Sequence, residues 1–208
     1  MAASKSDTEL MLDFQKGHEQ AFAELVERYR LPLLNFFYRL SWDRQTAEDC
    51  CQEVFCRVFR RRKEYVPTAS FPTYLYRIGK NLWIDRYRAR RNAPEMASLD
   101  AEVGDGGQTL GAAVDAGSAD PSRGAETRDE LRCVRRALDA LAPELRETLV
   151  LVKYQGLKYA EAAEVLGVPV GTVRSRIHAA IEQVRSLLRR EAGRAGREGR
   201  NGQRHEDL

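Results

Sequence analysis

The feature that most constrains this chain is a break in its pattern. From Asn92 to Thr127 aliphatic periodicity disappears. Six glycines and several alanines enter, and seven acids (Glu95, Asp100, Glu102, Asp105, Asp115, Asp120 and Glu126) face a single base, Arg123. On either side, apolar residues recur at helical spacing. A stretch this long without structure does not belong inside a compact domain, but it makes physical sense as a tether between two domains. The expected fold is therefore all-α: two small helical domains joined by a flexible acidic linker, the second containing a helix-turn-helix. The expected divisions are residues 1–91, a linker over 92–127, a second domain over 128–190 and a frayed basic tail over 191–208.

In the first block, Ser6 or Asp7 can cap a short helix carrying Leu10, Leu12 and Phe14 and closed by Gly17. A second helix is expected from about Glu19 to Leu40, with Phe22, Leu25, Val26, Tyr29, Leu33 and Phe36 on its apolar side and a kink at Pro32. Asp43 suits the cap of a third helix, about Arg44 to Arg62, whose stripe is Ala47, Cys51, Val54, Phe55, Val58 and Phe59. Its acids come first (Glu48, Asp49, Glu53) and its bases last (Arg57, Arg60, Arg61, Arg62), an order that complements the helix dipole.

After a loop from Glu64 to Phe71 comes SFPTYLYRIGKNLWIDRYRARR, Ser70 to Arg91. Wound as an α-helix, it places Tyr74, Leu75, Ile78 and Leu82 on one side, an ordinary core stripe. Tyr76, Lys80, Trp83, Tyr87 and Arg91 fall on the other. Rings stack on unpaired bases and cations neutralise phosphates, so this face suits melted nucleic acid better than intact duplex. The plain alternative is an amphipathic helix whose rings pack on a neighbour and whose charges are solvated.

In the second block, Leu131, Val134, Leu138 and Leu141 mark one helix. Pro143 opens another that contains Leu145, Leu149 and Val152 and ends at Gly156. A short helix from Tyr159 to Leu166 then meets a turn at Gly167-Val168-Pro169, and a longer helix starts at Val170. Small and apolar residues at Ala162, Ala163, Leu166, Val168, Val173 and Ile177 suit two helices locked at a steep angle, the signature of a helix-turn-helix. On the longer helix, Val173, Ile177, Ile181, Val184 and Leu188 form the expected core stripe. Gly171, Ser175, His178, Ala179 and Glu182 point away from it, with Arg174 and Arg176 on the flanks.

Composition narrows the choice of function. The formal net charge is only +3, but removal of the linker's net −6 leaves about +9 on the remainder, which favours a polyanionic partner. No apolar run is long enough to span a bilayer and the N-terminus lacks a signal core, so a cytoplasmic protein is expected. Cys50, Cys51, Cys56 and Cys133 lack the paired spacing of a zinc site. They read as reduced, mostly packed thiols, with redox sensing as the other reading. The histidines His18, His178 and His205 lie in separate segments, and no phosphate-binding or dinucleotide loop is present. No catalytic constellation, metal or cofactor is expected.

Three motifs now carry a resemblance. AEDCCQEVF (Ala47 to Phe55), SFPTYLYRIGKNLWIDRYR and LKYAEAAEVLGVPVGTVRSRI occur in the order found in extracytoplasmic-function (ECF) sigma factors, the compact branch of the sigma-70 family. The resemblance covers roughly residues 7–91 and 128–188. It implies a factor that directs core RNA polymerase to promoters, melts the −10 region and initiates transcription without catalysing chemistry. Its implied partners are core polymerase (the β′ clamp helices and the β subunit), promoter DNA and an anti-sigma factor. Asp49, Gln52 and Glu53 match the family's polymerase contacts. The loop at about Tyr65 to Phe71 matches its pocket for a flipped −10 base, and Asn81 matches the pocket asparagine, whose amide can pair bidentately with a base edge. The −10 set is Arg77, Lys80, Asn81, Trp83, Tyr87, Arg88 and Arg91. Within it, Trp83 either stacks on a base or packs on the preceding helix. The −35 set is Thr172, Arg174, Ser175, Arg176 and His178.

This chain departs from the family's common pattern in its long Gly- and Ala-rich linker, in His178-Ala179 within the recognition helix, and in Cys50-Cys51 where aliphatics are usual. The competing reading, a stand-alone helix-turn-helix regulator, explains residues 128–188 and leaves the basic-aromatic stretch idle.

Overall fold

A computed structural model describes residues 5–92 and 132–202, with side chains over 5–89 and 132–190. Every regular element among the described residues is helical. The expected linker lies outside them, Asn92 apart, as do the last residues of the tail. The described residues form two compact units: residues 5–92 with 147–174, and residues 132–146 with 175–202.

Local chemistry sets the element boundaries of the first unit. Helix α1 (Asp7–Gln15) opens on a capping box in which Glu9 N–H donates to Ser6 Oγ at 3.3 Å and Ser6 N–H to Glu9 Oε2 at 2.8 Å. Gly17, at φ +100°, turns the chain into α2 (Glu19–Ser41), which runs unbroken through Pro32. Trp42 adopts the left-handed conformation at φ +53° to end α2, and its N–H closes on Tyr38 O at 2.7 Å. Asp43 then caps α3 (Arg44–Arg60), accepting from Thr46 N–H at 2.8 Å. Helix α3 stops two residues earlier than expected, and a 3₁₀ turn over Arg62–Glu64 follows it.

Helix α4 (Phe71–Asn92) completes the unit's core, packing on α3 and meeting side chains of α2 at Tyr76 and Gly79. Leu25, Leu33, Phe36, Phe37, Val54, Val58, Phe71 and Leu75 are all essentially inaccessible to solvent. A Cβ on Gly79 would lie 3.3 Å from Phe37 Cζ and 3.7 Å from Leu33 Cδ1, so the α2 side chains already fill the space over Gly79.

Two sequence expectations fail here: Phe59 of the expected α3 stripe is 41% exposed, and Tyr76 is buried. Tyr76 does not join the outward ring-and-cation face. It is 2% exposed, its ring meets Phe36 edge-on at 5.3 Å, and its hydroxyl donates to Gln155 Oε1 at 2.7 Å. Leu75, Gly79 and Leu82 form the inner stripe of α4, so the buried side is rotated toward Tyr76 relative to the expected one, and Lys80 and Trp83 are half-buried with it. Residues of the later block cover that flank, and a wheel does not register a neighbour remote in sequence.

The later residues of the first unit supply this cover. Helix α6 (Pro143–Leu149) continues as a π turn over Val150–Tyr154 and ends at Gly156, φ +71°. Helix α7 (Tyr159–Leu166) packs on α4, and Arg39 of α2 stacks over the Tyr154 ring at 4.3 Å. Gly167, at φ +69°, ends α7 in the left-handed conformation, with Gly167 N–H bonded to Ala163 O at 2.8 Å. Helix α8 (Val170–Gly202) begins after Pro169. This is the expected helix–turn–helix succession.

In the second unit, α5 (132–139) is tied to the start of α6 by Arg146, which donates to Asp139 O at 2.7 Å and pairs with its carboxylate at 3.1 Å. Ala137, Leu138, Leu141, Ile177 and Ala180 are buried. Two expected core positions differ: Val134 and Leu188 are both 37% exposed. Helix α8 also extends beyond residue 190, where fraying was expected. Gly193, Gly196, Gly199 and Gly202 disfavour helix there, so the extension rests on propagation from a helix that is already nucleated.

Candidate functional site

The outward side of α4 gathers most of the expected −10 residues. Arg77, Asn81, Tyr87 and Arg88 are exposed, Tyr87 by 43%. Lys80 and Trp83 are half-buried. Arg91 belongs to the helix backbone, but its side chain lies outside the described residues. Helical spacing makes one surface of these groups: Arg77, Lys80, Asn81, Ile84 and Arg88 share a face, and Trp83 and Tyr87 flank it. Long cations beside an accessible ring and an unencumbered amide can hold phosphates, stack a base and pair with a base edge.

The loop ahead of α4 is anchored rather than free. Tyr65 is buried, with its ring centroid 5.0 Å from that of Tyr74, whereas the next residue, Val66, is 66% exposed. Gln15 of α1 donates from Nε2 to Arg62 O at 2.7 Å and to Tyr65 O at 2.8 Å, which fixes where the loop begins. At its other end, Ser70 Oγ accepts from Thr73 N–H at 3.4 Å and donates to Glu161 Oε1 of α7 at 2.9 Å. Glu161 also accepts from Lys158 N–H at 2.9 Å and so caps its own helix. Sequence reasoning missed both Gln15 and Glu161. Each is a polar residue on a helix surface, and nothing local distinguishes it from a solvated one.

The expected polymerase-binding residues form a second surface on α3. Gln52 is exposed, and Asp49 and Glu53 are half-buried. Glu53 accepts from Arg57 Nε at 2.8 Å, and this hydrogen bond holds its carboxyl below the usual carboxylate range. Asp49 accepts from Gln45 Nε2 at 2.9 Å and pairs with Arg86 of α4 at 3.3 Å. Gln52 lines an open groove of about 520 Å³ between α2 and α3, walled by Phe22, Val26, Leu34, Phe55 and Phe59. Cys50 and Cys51 are buried, and burial pushes both thiols up, Cys51 to about 11. Thiols held protonated in this way behave as small packed hydrophobes.

On α8, Arg174, Ser175 and His178 are exposed, and Thr172 and Arg176 are intermediate. Gly171, Ala179 and Glu182 are exposed as well, whereas Val173 and Ile177 are buried. The helix thus presents the expected outward face.

An exposed basic-aromatic helix, followed in the chain by a helix-turn-helix, defines a nucleic-acid-binding protein with two reading elements. The sigma-70 region 2 profile matches residues 25–93 and the sigma-70 region 4 profile matches residues 131–184. The RNA polymerase sigma-H factor of Pseudomonas aeruginosa is 34% identical over 90% of this chain and 96% of its own length. The ECF RNA polymerase sigma factor SigW of Bacillus subtilis is 34% identical over 84% of this chain and 92% of its own. Among solved structures, CnrH in complex with the cytosolic domain of CnrY is similar at a TM-score of 0.65, with 26% identity over 88% of this chain and 97% of that one. The chain belongs to the ECF RNA polymerase sigma factors of the sigma-70 family. Matches to both regions leave the stand-alone regulator without support.

Proposed function

We propose that this sigma factor divides its work between two surfaces of the first block and one of the second. Asp49, Gln52 and Glu53 on α3 engage the β′ clamp helices of core polymerase, and the β subunit is a further partner. The outward face of α4 (Arg77, Lys80, Asn81, Trp83, Tyr87, Arg88 and Arg91) captures the unpaired −10 strand. Asn81 reads a flipped base beside the Tyr65–Phe71 loop, and Trp83 and Tyr87 supply stacking. Binding energy gained on the open strand offsets the cost of unpairing it. On α8, Thr172, Arg174, Ser175, Arg176 and His178 meet the −35 duplex, and the segment over 92–127 tethers the two domains, 1–91 and 128–190.

The protein supplies recognition, and core polymerase carries out the chemistry. It acts in the cytoplasm, where its polymerase works, and an anti-sigma protein is the partner expected to hold it inactive. The observation that carries this reading is the exposed row of Arg77, Asn81, Tyr87 and Arg88 on a helix whose inner side is locked into the core. The test is transcription from a promoter library by core polymerase with and without the full chain. Transcripts that start at a common motif only when the chain is present are expected, and Asp49→Lys with Glu53→Lys is expected to abolish them through lost core binding. Unchanged core affinity in that variant would remove α3 from the interface.

A further inference from the structure

The two proposed surfaces of the first block share one ion pair. Arg86 lies on the inner stripe of α4, in line with Leu75, Gly79 and Leu82, where the core pattern calls for an apolar side chain. Its guanidinium instead leaves the core edge and reaches α3. One terminal nitrogen lies 3.3 Å from Asp49 Oδ2 and the other 3.6 Å from Cys50 Sγ. Asp49 Oδ1 is meanwhile taken by Gln45. Both oxygens of the acid assigned to polymerase binding are therefore occupied within the chain. The pair is loose: its side chains are 39% and 44% exposed. Such a pair contributes little stability and exchanges partners readily. One helical turn from Arg86 stands Trp83, a ring of the strand-capture face.

We propose that Arg86 and a cation of core polymerase compete for Asp49, so that polymerase binding releases Arg86 to a phosphate of the unpaired strand. This inference rests on the sigma-factor reading and adds to it a built-in coupling between its two surfaces. In the free chain Asp49 neutralises Arg86 and weakens the hold on DNA. When the polymerase occupies Asp49, the same guanidinium becomes one more phosphate contact beside the stacking rings. Coupling of this kind is reciprocal, so DNA that draws Arg86 away also frees Asp49 for the polymerase.

The test uses the full chain and a short fluorescein-labelled oligodeoxythymidine, because a phosphate contact is independent of base. Anisotropy titrations at several salt concentrations compare wild type, Asp49→Asn, Arg86→Ala, the double variant and Glu48→Gln, which removes the same charge one residue away. Asp49→Asn is expected to tighten DNA binding by up to about fivefold. It is also expected to steepen the salt slope by about 0.7, the increment for one added contact to a single strand. Glu48→Gln does less, and Asp49→Asn has no such effect once Arg86 is alanine. In a parallel titration with core polymerase, Arg86→Ala tightens binding, whereas an arginine that merely braced α3 would weaken it.

Equal gains from Asp49→Asn and Glu48→Gln, or a gain that survives Arg86→Ala, would overturn the proposal. If Arg86→Ala does not fold, the comparison of Asp49→Asn with Glu48→Gln still decides. Failure of the wild-type chain to bind core polymerase would instead count against the sigma-factor reading, and the DNA titrations would be unaffected.

Discussion

Tyr76 Oη donates to Gln155 Oε1 at 2.7 Å, joining residues 79 positions apart in the chain. Burial holds the Tyr76 hydroxyl well above the usual tyrosine range, and the nearby Cys51 thiol adds to the effect. A tyrosine kept protonated when folded stabilises the protein fully below its unfolded pKa of about 10 and loses that contribution as pH rises beyond it. Stability is therefore expected to fall above about pH 10, by up to about 1.4 kcal/mol per pH unit from this group. Tyr76→Phe is expected to lose about 1 kcal/mol at neutral pH with the hydrogen bond, and to flatten the alkaline slope. Urea denaturation at pH 7 and across the alkaline range measures both, and an unchanged slope would show that Tyr76 titrates normally.

Gly79 of α4 lies against the ends of the α2 side chains Phe37, Leu33 and Phe36. Alanine there gains helix propensity but presses on Phe37 at 3.3 Å. A branched side chain has no such compromise. Gly79→Val is expected to cost about 1–3 kcal/mol, as overpacking of a filled core does. Thermal unfolding followed by circular dichroism checks it, and a variant as stable as wild type would mean that the helices separate freely.

The two candidate base-contacting residues on α4 are expected to fail differently. Asn81→Ala is expected to cost about 1–3 kcal/mol on the preferred −10 strand and to lose discrimination at one base position. Trp83→Ala is expected to weaken all strands alike, because every base has a face to stack on. Binding of holoenzyme to single-stranded −10 oligonucleotides with each of the four bases at that position separates the two. An equal loss on all four bases for Asn81→Ala would end its assignment to the pocket.

Arg174 is exposed on α8 beside Ser175. If it reads a base edge, Arg174→Ala relaxes specificity at one −35 position and costs about 1–3 kcal/mol on the best site. A phosphate contact instead weakens every site equally and makes the salt slope shallower by about one unit. Holoenzyme binding to single-base −35 variants at two salt concentrations distinguishes them. The base contact is the expected outcome.

Much of this protein is decided within a few residues of chain. The Ser6–Glu9 capping box, the Asp43 cap, the left-handed glycines at positions 17 and 167 and the helical recurrence of apolar residues are local, and each helix they announce is present. The outward positions of Tyr87, Arg174 and His178 follow from the same periodicity, whereas the exposed face of α4 is rotated from the expected one toward Arg77, Asn81 and Arg88. Tertiary structure alone decided what covers a given flank. Tyr76 is buried because Gln155 and its neighbours lie over it, Gln15 holds a loop whose carbonyls lie far along the chain, and Arg86 serves Asp49 on another helix. Each of these depends on which polar groups the packing of distant apolar stripes happens to bring within hydrogen-bond reach. Periodicity carries the phase of one helix and no information about its neighbour.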